Sequence, residues 1–255
     1  MLLVLALPAS GCGWLGVGTG DRDFTASLAR RPDPPAAPAP PRDAKGARIL
    51  GEASRVKGSR ILVSIQDRWL WLLEGGDTLV SGPITVGKGQ VFHFRGKTYR
   101  FETPRGRRRV VAKEPNPVWT VPDWHYYEKA VAARLQPVHL GPDDRVELSD
   151  GTTLEVRGEQ VGRINHSGNW WPWTPGKEII FDGKIFVPPM HSAQRRVPNA
   201  LGAYKLDMGD GYLIHGTPDE ATIGRAVSHG CIRMRDDDLA RLYELAEVGT
   251  PVFIY

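Results

Sequence analysis

Ser228-His229-Gly230-Cys231-Ile232-Arg233 sets one of the chain's two cysteines beside a histidine and a glycine. A second histidine, in Ile214-His215-Gly216-Thr217, lies a short loop upstream. The reactive form of cysteine is the thiolate, and a nearby imidazole is the usual means of generating it at neutral pH. Glycine beside the sulfur lets the backbone approach a substrate closely and leaves main-chain N–H groups to hold an oxyanion. A cysteine on its own is more often a small buried hydrophobe. Its neighbours turn Cys231 toward covalent chemistry. The chemical rival is zinc, with His215, His229 and Cys231 as ligands and water in the fourth position. A histidine two before a cysteine is not a usual zinc spacing and no fourth ligand is visible, so neither metal nor cofactor is expected.

Strands must deliver these groups. Ile61, Val63 and Ile65 alternate with Leu62, Ser64 and Gln66, and Trp69 to Leu73 follows, with a turn at Glu74-Gly75-Gly76-Asp77 before Thr78-Leu79-Val80. Ser81 to Gly89 reads as a strand ending in a glycine-rich turn, and no helical pattern follows it that would suit phosphate binding. Ala203 to Leu206, the Asp210-Gly211 turn and Tyr212-Leu213-Ile214 lead into His215. Past Cys231, Leu239, Leu242, Tyr243 and Ala246 share a helical face within 236–247, and Asp236 to Asp238 suit its N-terminus. Pro251 to Tyr255 forms a last strand.

Between about 123 and 189 the pattern changes and reads as an insertion. A helix is predicted over Tyr126 to Leu135, and Ser149-Asp150-Gly151 marks a hairpin between Arg145–Leu148 and Thr153–Val156. Trp170, Trp171 and Trp173 either cover the insertion's small core or wall a substrate groove, since tryptophan stacks well on sugar faces.

Several of these segments together resemble one family. His215-Gly216-Thr217 followed by Ser228-His229-Gly230-Cys231-Ile232-Arg233 is similar to the signature of the L,D-transpeptidase catalytic domain (YkuD) family of bacterial cell-wall enzymes. Pro198-Asn199-Ala200-Leu201-Gly202, Thr103-Pro104-Arg105-Gly106 and Pro117-Val118-Trp119 extend the resemblance to both ends of 59–255. It implies a mainly β, sandwich-like domain over 48–255 with one or two short helices and an inserted subdomain. Cys231 would then be the nucleophile and His215 the base, oriented by a backbone carbonyl near Gly216. His229 would flank the nucleophile, and the N–H groups of Gly230 and Cys231 would hold the oxyanion. Ser228, Gly216 and Thr217 would complete the substrate contacts, and Arg233 would order the loop or meet a substrate carboxylate.

The implied reaction forms a thioester with a peptidoglycan stem tetrapeptide and transfers it to an amine, either another stem or a wall-anchored protein. Hydrolysis of stem peptides, a non-catalytic peptidoglycan-binding lipoprotein and a peptidase of ordinary proteins are the alternatives.

Composition agrees with a packed domain plus appendages. The 255 residues are 41% hydrophobic and carry a formal net charge of +4. Arg105, Arg107, Arg108 and Arg109 form the one dense basic cluster, read as a solvated loop or as an attractor of anionic polymer. No nucleic-acid motif is present, so no nucleic-acid partner is expected. Leu2 to Leu7 is too short to span a bilayer, and Pro8-Ala9-Ser10-Gly11-Cys12 resembles a lipobox. Residues 1–11 are read as a leader, Cys12 as the lipidated residue that tethers the protein to a membrane, and 12–47 as a Pro/Ala-rich spacer. A cleaved soluble signal is the other reading. Either way the protein is expected to be exported to the periplasm or cell envelope.

Overall fold

The computed structural model describes Pro38 and residues 41–255. Cys12, with the leader and most of the spacer, lies outside the described residues.

The strand Arg60–Ser64 is buried along its whole length because both faces are covered. Ile61 and Val63 enter the main apolar cluster with Leu70 and Leu72, whereas Leu62 joins Trp69 and Trp71 in a second one. Alternate residues of a strand face opposite sides of the sheet, so Trp69-Leu70-Trp71-Leu72 divides into a tryptophan face and a leucine face. Arg60–Ser64 pairs antiparallel with Trp69–Glu74 and parallel with Pro251–Ile254. Asp77–Pro83 and Gly106–Arg109 complete this five-stranded sheet.

A helix, α1 (Ala44–Ala53), contributes Ile49 and Ala53 to the tryptophan cluster. Residues 44–47 therefore belong to the fold and not to the spacer, which corrects the sequence reading. Asp43 caps α1 by accepting from the Gly46 N–H at 2.8 Å, and Arg105 donates two bonds to the same carboxylate. Those bonds, Arg105's foremost, draw the Asp43 carboxyl down to about 2. Ile49, Leu50 and Ala53 share one face of α1, but two glycines lower its helical propensity and it abuts the Pro/Ala-rich stretch, so the sequence reading passed over it.

Across the main cluster lies a sheet in the order Ile232–Arg233, Leu213–His215, Tyr204–Asp207, Ala112–Pro115. Leu206, Ile214 and Ile232 face the leucines of the first sheet, and the anticipated terminal helix adds Leu239 and Leu242. The result is the expected mainly β sandwich. Among the described residues it carries three α-helices, one more than foreseen.

The segment read as an insertion leaves through Val118–Thr120 and returns through Arg196–Pro198, which pair antiparallel. It opens with α2 (Asp123–Ala133), which starts three residues before the predicted helix. The foreseen hairpin is present as Arg145–Glu147 against Thr153–Arg157. Leu154, Val156, Val161, Ile179 and Phe186 give the segment its own apolar cluster. Arg195, 2% exposed, pins the neck by donating to the carbonyls of Pro188 and Val121 and pairing with Asp123 at 2.7 Å.

Two further features differ from expectation. Gly106–Arg109 is a strand paired with Pro251–Ile254 and not a solvated loop, and Arg108 lies over the Tyr212 ring at 4.7 Å. An unforeseen hairpin joins Gln90–Phe94 to Lys97–Phe101. Its turn residues, Arg95 and Gly96, both have positive φ, as a tight hairpin of this kind requires. Phe94 stacks on Tyr127 of α2 at 4.5 Å, and Phe101 meets Trp124 at 5.3 Å.

Candidate active site

Leu213–His215 runs parallel to Ile232–Arg233 with His215 opposite Arg233, which brings the two motifs side by side. His215, Ser228, His229, Cys231 and Arg233 line one cleft of about 680 Å³. Tyr99 and Phe101 of the hairpin, Trp119, Trp124 and Tyr212 supply its aromatic walls.

His215 is buried, and its Nδ1–H donates to the Gly216 carbonyl at 2.6 Å. A carbonyl only accepts, so the proton sits on Nδ1 and Nε2 keeps its lone pair. Burial, aided by the Arg233 charge, lowers His215 from its ordinary 6.5 to about 4 against the opposing pull of the Gly216 carbonyl. The half-buried Cys231 thiol is pushed up by burial, although the Leu213 N–H and Arg233 favour its thiolate. At rest Cys231 Sγ faces the Gly211 carbonyl at 3.7 Å. At neutral pH the two groups therefore rest as imidazole and thiol.

The His215 shift has a consequence for stability. The fold favours the neutral ring, so the unfolded chain binds more protons between pH 4 and 6.5. The linked stability, about 3 kcal/mol, is complete above pH 6.5 and disappears as pH falls toward 4. Urea unfolding at pH 7 and pH 4.5 should show wild type losing more stability than His215→Gln. Equal losses would contradict the buried neutral ring.

The loop Ser228–Cys231 is held through its backbone. Ser228 Oγ donates to the Cys231 carbonyl at 2.6 Å and accepts from the Gly230 N–H at 3.1 Å. The Gly230 N–H is thus already engaged and is not the free oxyanion donor expected of it, which leaves the Cys231 N–H. Gly230 has a φ of 127°, and a Cβ there would lie 2.9 Å from Tyr212 Cε1 and 3.0 Å from the Glu102 carbonyl oxygen. Thr103 Oγ1 donates to the Gly230 carbonyl at 2.9 Å and accepts from the Gly87 N–H at 2.8 Å. A Cβ on Gly87 would fall 2.6 Å from Thr103 N and 2.7 Å from Glu102 Cα. Backbone cannot yield as a side chain would, so Gly87→Ala should cost about 3 kcal/mol. Denaturant midpoints check this, and a wild-type midpoint would mean that the strand contact is looser than described.

Two expected contacts are placed elsewhere. Thr217 is buried, accepts from the Asp219 N–H at 3.1 Å, and does not line the cleft. Gly216 acts through its carbonyl on His215. A Cβ on it would lie 1.8 Å from Asp236 Oδ1.

His229 lines the cleft with its ring stacked on Trp124 at 4.2 Å, and its Nε2 lies 2.6 Å from Glu128 Oε2 and 3.1 Å from Lys88 Nζ. An ammonium that close to the nitrogen opposes a metal ion there. Burial lowers the His229 ring, with Lys88 and Arg233 adding to the effect and Glu128 opposing it. The Arg233 guanidinium has no hydrogen bond or ion pair among the described residues, which leaves it available at the cleft.

Of the insertion's tryptophans, Trp173 packs on the insertion's cluster, Trp170 covers Gly162 and Trp171 is 64% exposed. None lines the Cys231 cleft. That position is taken by Trp119 and Trp124. The sequence reading named Trp119, Thr103 and Tyr212 only within flanking segments and assigned no site role to them or to Trp124, Lys88 and Glu128. Phe92-x-Phe94 and Tyr99-x-Phe101 around Arg95-Gly96 were a readable signal for the hairpin wall. No local signal marks the others.

Residues 58–254 match the family model of the L,D-transpeptidase catalytic domain (YkuD). Among curated proteins the chain is similar to the probable L,D-transpeptidase YbiS of Escherichia coli K12. The two are 38% identical over 81 residues, which is 31% of this chain and 26% of that protein. It is 45% identical over 62 residues to the putative L,D-transpeptidase YkuD of Bacillus subtilis, which is 24% of this chain and 38% of that one. The aligned stretches thus span 26% to 38% of these relatives' length. Among solved structures, an L,D-transpeptidase of Xylanimonas cellulosilytica aligns with a TM-score of 0.41 at 16% identity, covering 79% of this chain and 62% of that one. The family match runs from the sandwich's first strand to its last and contains both histidine motifs and the cysteine, so the chain belongs to the L,D-transpeptidase catalytic domain (YkuD) family.

Proposed function

We propose that the protein is an exported cell-wall L,D-transpeptidase in which Cys231 is the nucleophile and His215 its base. The observation that carries this reading is the Nδ1–H bond from His215 to the Gly216 carbonyl, which leaves the lone pair on Nε2 of a ring that lines the same cleft as Cys231. Sγ attacks the carbonyl that follows the L-centre of a stem tetrapeptide while its proton passes to His215 Nε2. The Cys231 N–H steadies the oxyanion. The imidazolium then protonates the leaving amine, the terminal D-residue departs, and a thioester remains. An acceptor amine attacks the thioester, returns a proton through His215, and releases the thiol. Arg233 suits a carboxylate of the donor stem.

The full chain incubated with purified disaccharide-tetrapeptide tests this by mass spectrometry, with Cys231→Ala beside it. A cross-linked dimer lacking one terminal D-residue, absent with the variant, is expected. Tripeptide alone would make the protein a carboxypeptidase, and no product would sink the catalytic reading. For the envelope location, lipidation at Cys12 predicts partition of the native protein into detergent, and recovery in the aqueous phase would remove the anchor.

A further inference from the structure

The helix that opens the inserted segment grips the nucleophile loop. Trp124 and Glu128 lie one turn apart on α2, and side chains four apart share a helical face. Both engage His229: Trp124 stacks on the ring at 4.2 Å and Glu128 Oε2 lies 2.6 Å from Nε2. Phe101 meets the same ring edge-on at 4.5 Å. The other oxygen of Glu128 accepts from Lys88 Nζ at 2.8 Å, and the Lys88 backbone N–H donates to the Ser228 carbonyl at 2.9 Å. The imidazole two residues before the nucleophile is thus enclosed by α2, by the hairpin and by the strand end at Lys88. Asp123, at the start of α2, is tied in turn to buried Arg195 at the neck.

The proton on His229 follows from this geometry. A carboxylate 2.6 Å from a ring nitrogen needs a hydrogen between them, and a charged lysine has no lone pair to offer. Nε2 therefore carries the proton and Nδ1 the lone pair, since the partner of one ring nitrogen decides the state of the other. Burial pushes the Glu128 carboxyl up, but bonds from Lys88 and His229 more than reverse this and keep it below its ordinary value.

Resting on the transpeptidase reading, we propose that Glu128 is a positioning residue of the active site. It accepts from His229 Nε2–H, holds the imidazole in one tautomer and one orientation beside Cys231, and so makes the inserted segment part of the catalytic apparatus. Charge is not the essential element, because any oxygen at that place can accept the bond.

Glu128→Gln and Glu128→Ala in the full chain test this against wild type. Nitrogen-15 spectra of the histidine rings report the tautomer without any substrate, so this readout decides even if transpeptidation proves wrong. His229 should be Nε2–H in wild type and in Glu128→Gln, and a tautomer mixture in Glu128→Ala. For cross-linking, Glu128→Ala should lower kcat about 10-fold or more, the scale typical of lost supporting hydrogen bonds, with KM within about 2-fold. Glu128→Gln should stay within about 3-fold of wild type. Unchanged ring spectra in Glu128→Ala, or an equal kcat loss in both variants, would overturn the proposal. Glu128 is only half-buried, and the Gln variant keeps its shape should the Ala variant fold poorly.

Discussion

Cys231→Ala should abolish acyl-enzyme formation and reduce turnover by about 10⁴-fold or more while leaving the fold intact. The loop does not depend on the sulfur for its shape. Ser228 Oγ, Thr103 Oγ1 and the Lys88 backbone hold it through backbone groups of Ser228, Gly230 and Cys231. The side chain is half-buried at the cleft, so losing one sulfur removes little packing. Intact-protein mass spectrometry after exposure to a stem tetrapeptide reads the adduct, and thermal unfolding reads the fold. Retention of a covalent adduct by the variant, or turnover within tenfold of wild type, would transfer the nucleophile elsewhere.

His215→Ala should lower turnover at pH 7 by about 10³-fold, within the usual range for a positioned base. The reason lies in the resting protonation of the pair. Burial pushes the thiol up and holds the imidazole near 4, so no thiolate is stored in advance. Without His215 the thiol must lose its proton to water or hydroxide. The deficit should therefore shrink as pH rises, whereas wild type should lose activity at acid pH only as His215 becomes protonated, near 4 rather than 6.5. Alanine also empties a buried site, so His215→Gln controls for packing. A deficit at pH 9 as large as that at pH 7 would argue that His215 supports structure and is not the base.

These expectations follow from the lone pair on His215 Nε2, and that detail was partly legible beforehand. The family resemblance implied an orienting carbonyl near Gly216, and the Nδ1 bond is made to Gly216 itself. The resemblance also implied Gly230 N–H as an oxyanion donor, but Ser228 Oγ takes that hydrogen. A motif specifies which residues are adjacent, and not which of two acceptors an amide meets.

Spacing along the chain already singled out Cys231 and His215, the strands that alternate on a two-residue period and the terminal helix. Each is written in short-range spacing, where local backbone geometry leaves few choices. What surrounds them became visible only in the folded chain. Glu128 meets His229 across 101 positions, Thr103 meets Gly230 across 127 and Lys88 meets His229 across 141. Single residues contributed by separate elements leave no periodic trace. Helix α1 carries its apolar residues on one face but has two glycines beside the Pro/Ala-rich stretch, and burial against Trp69 and Trp71 stabilises it more than its own helical propensity.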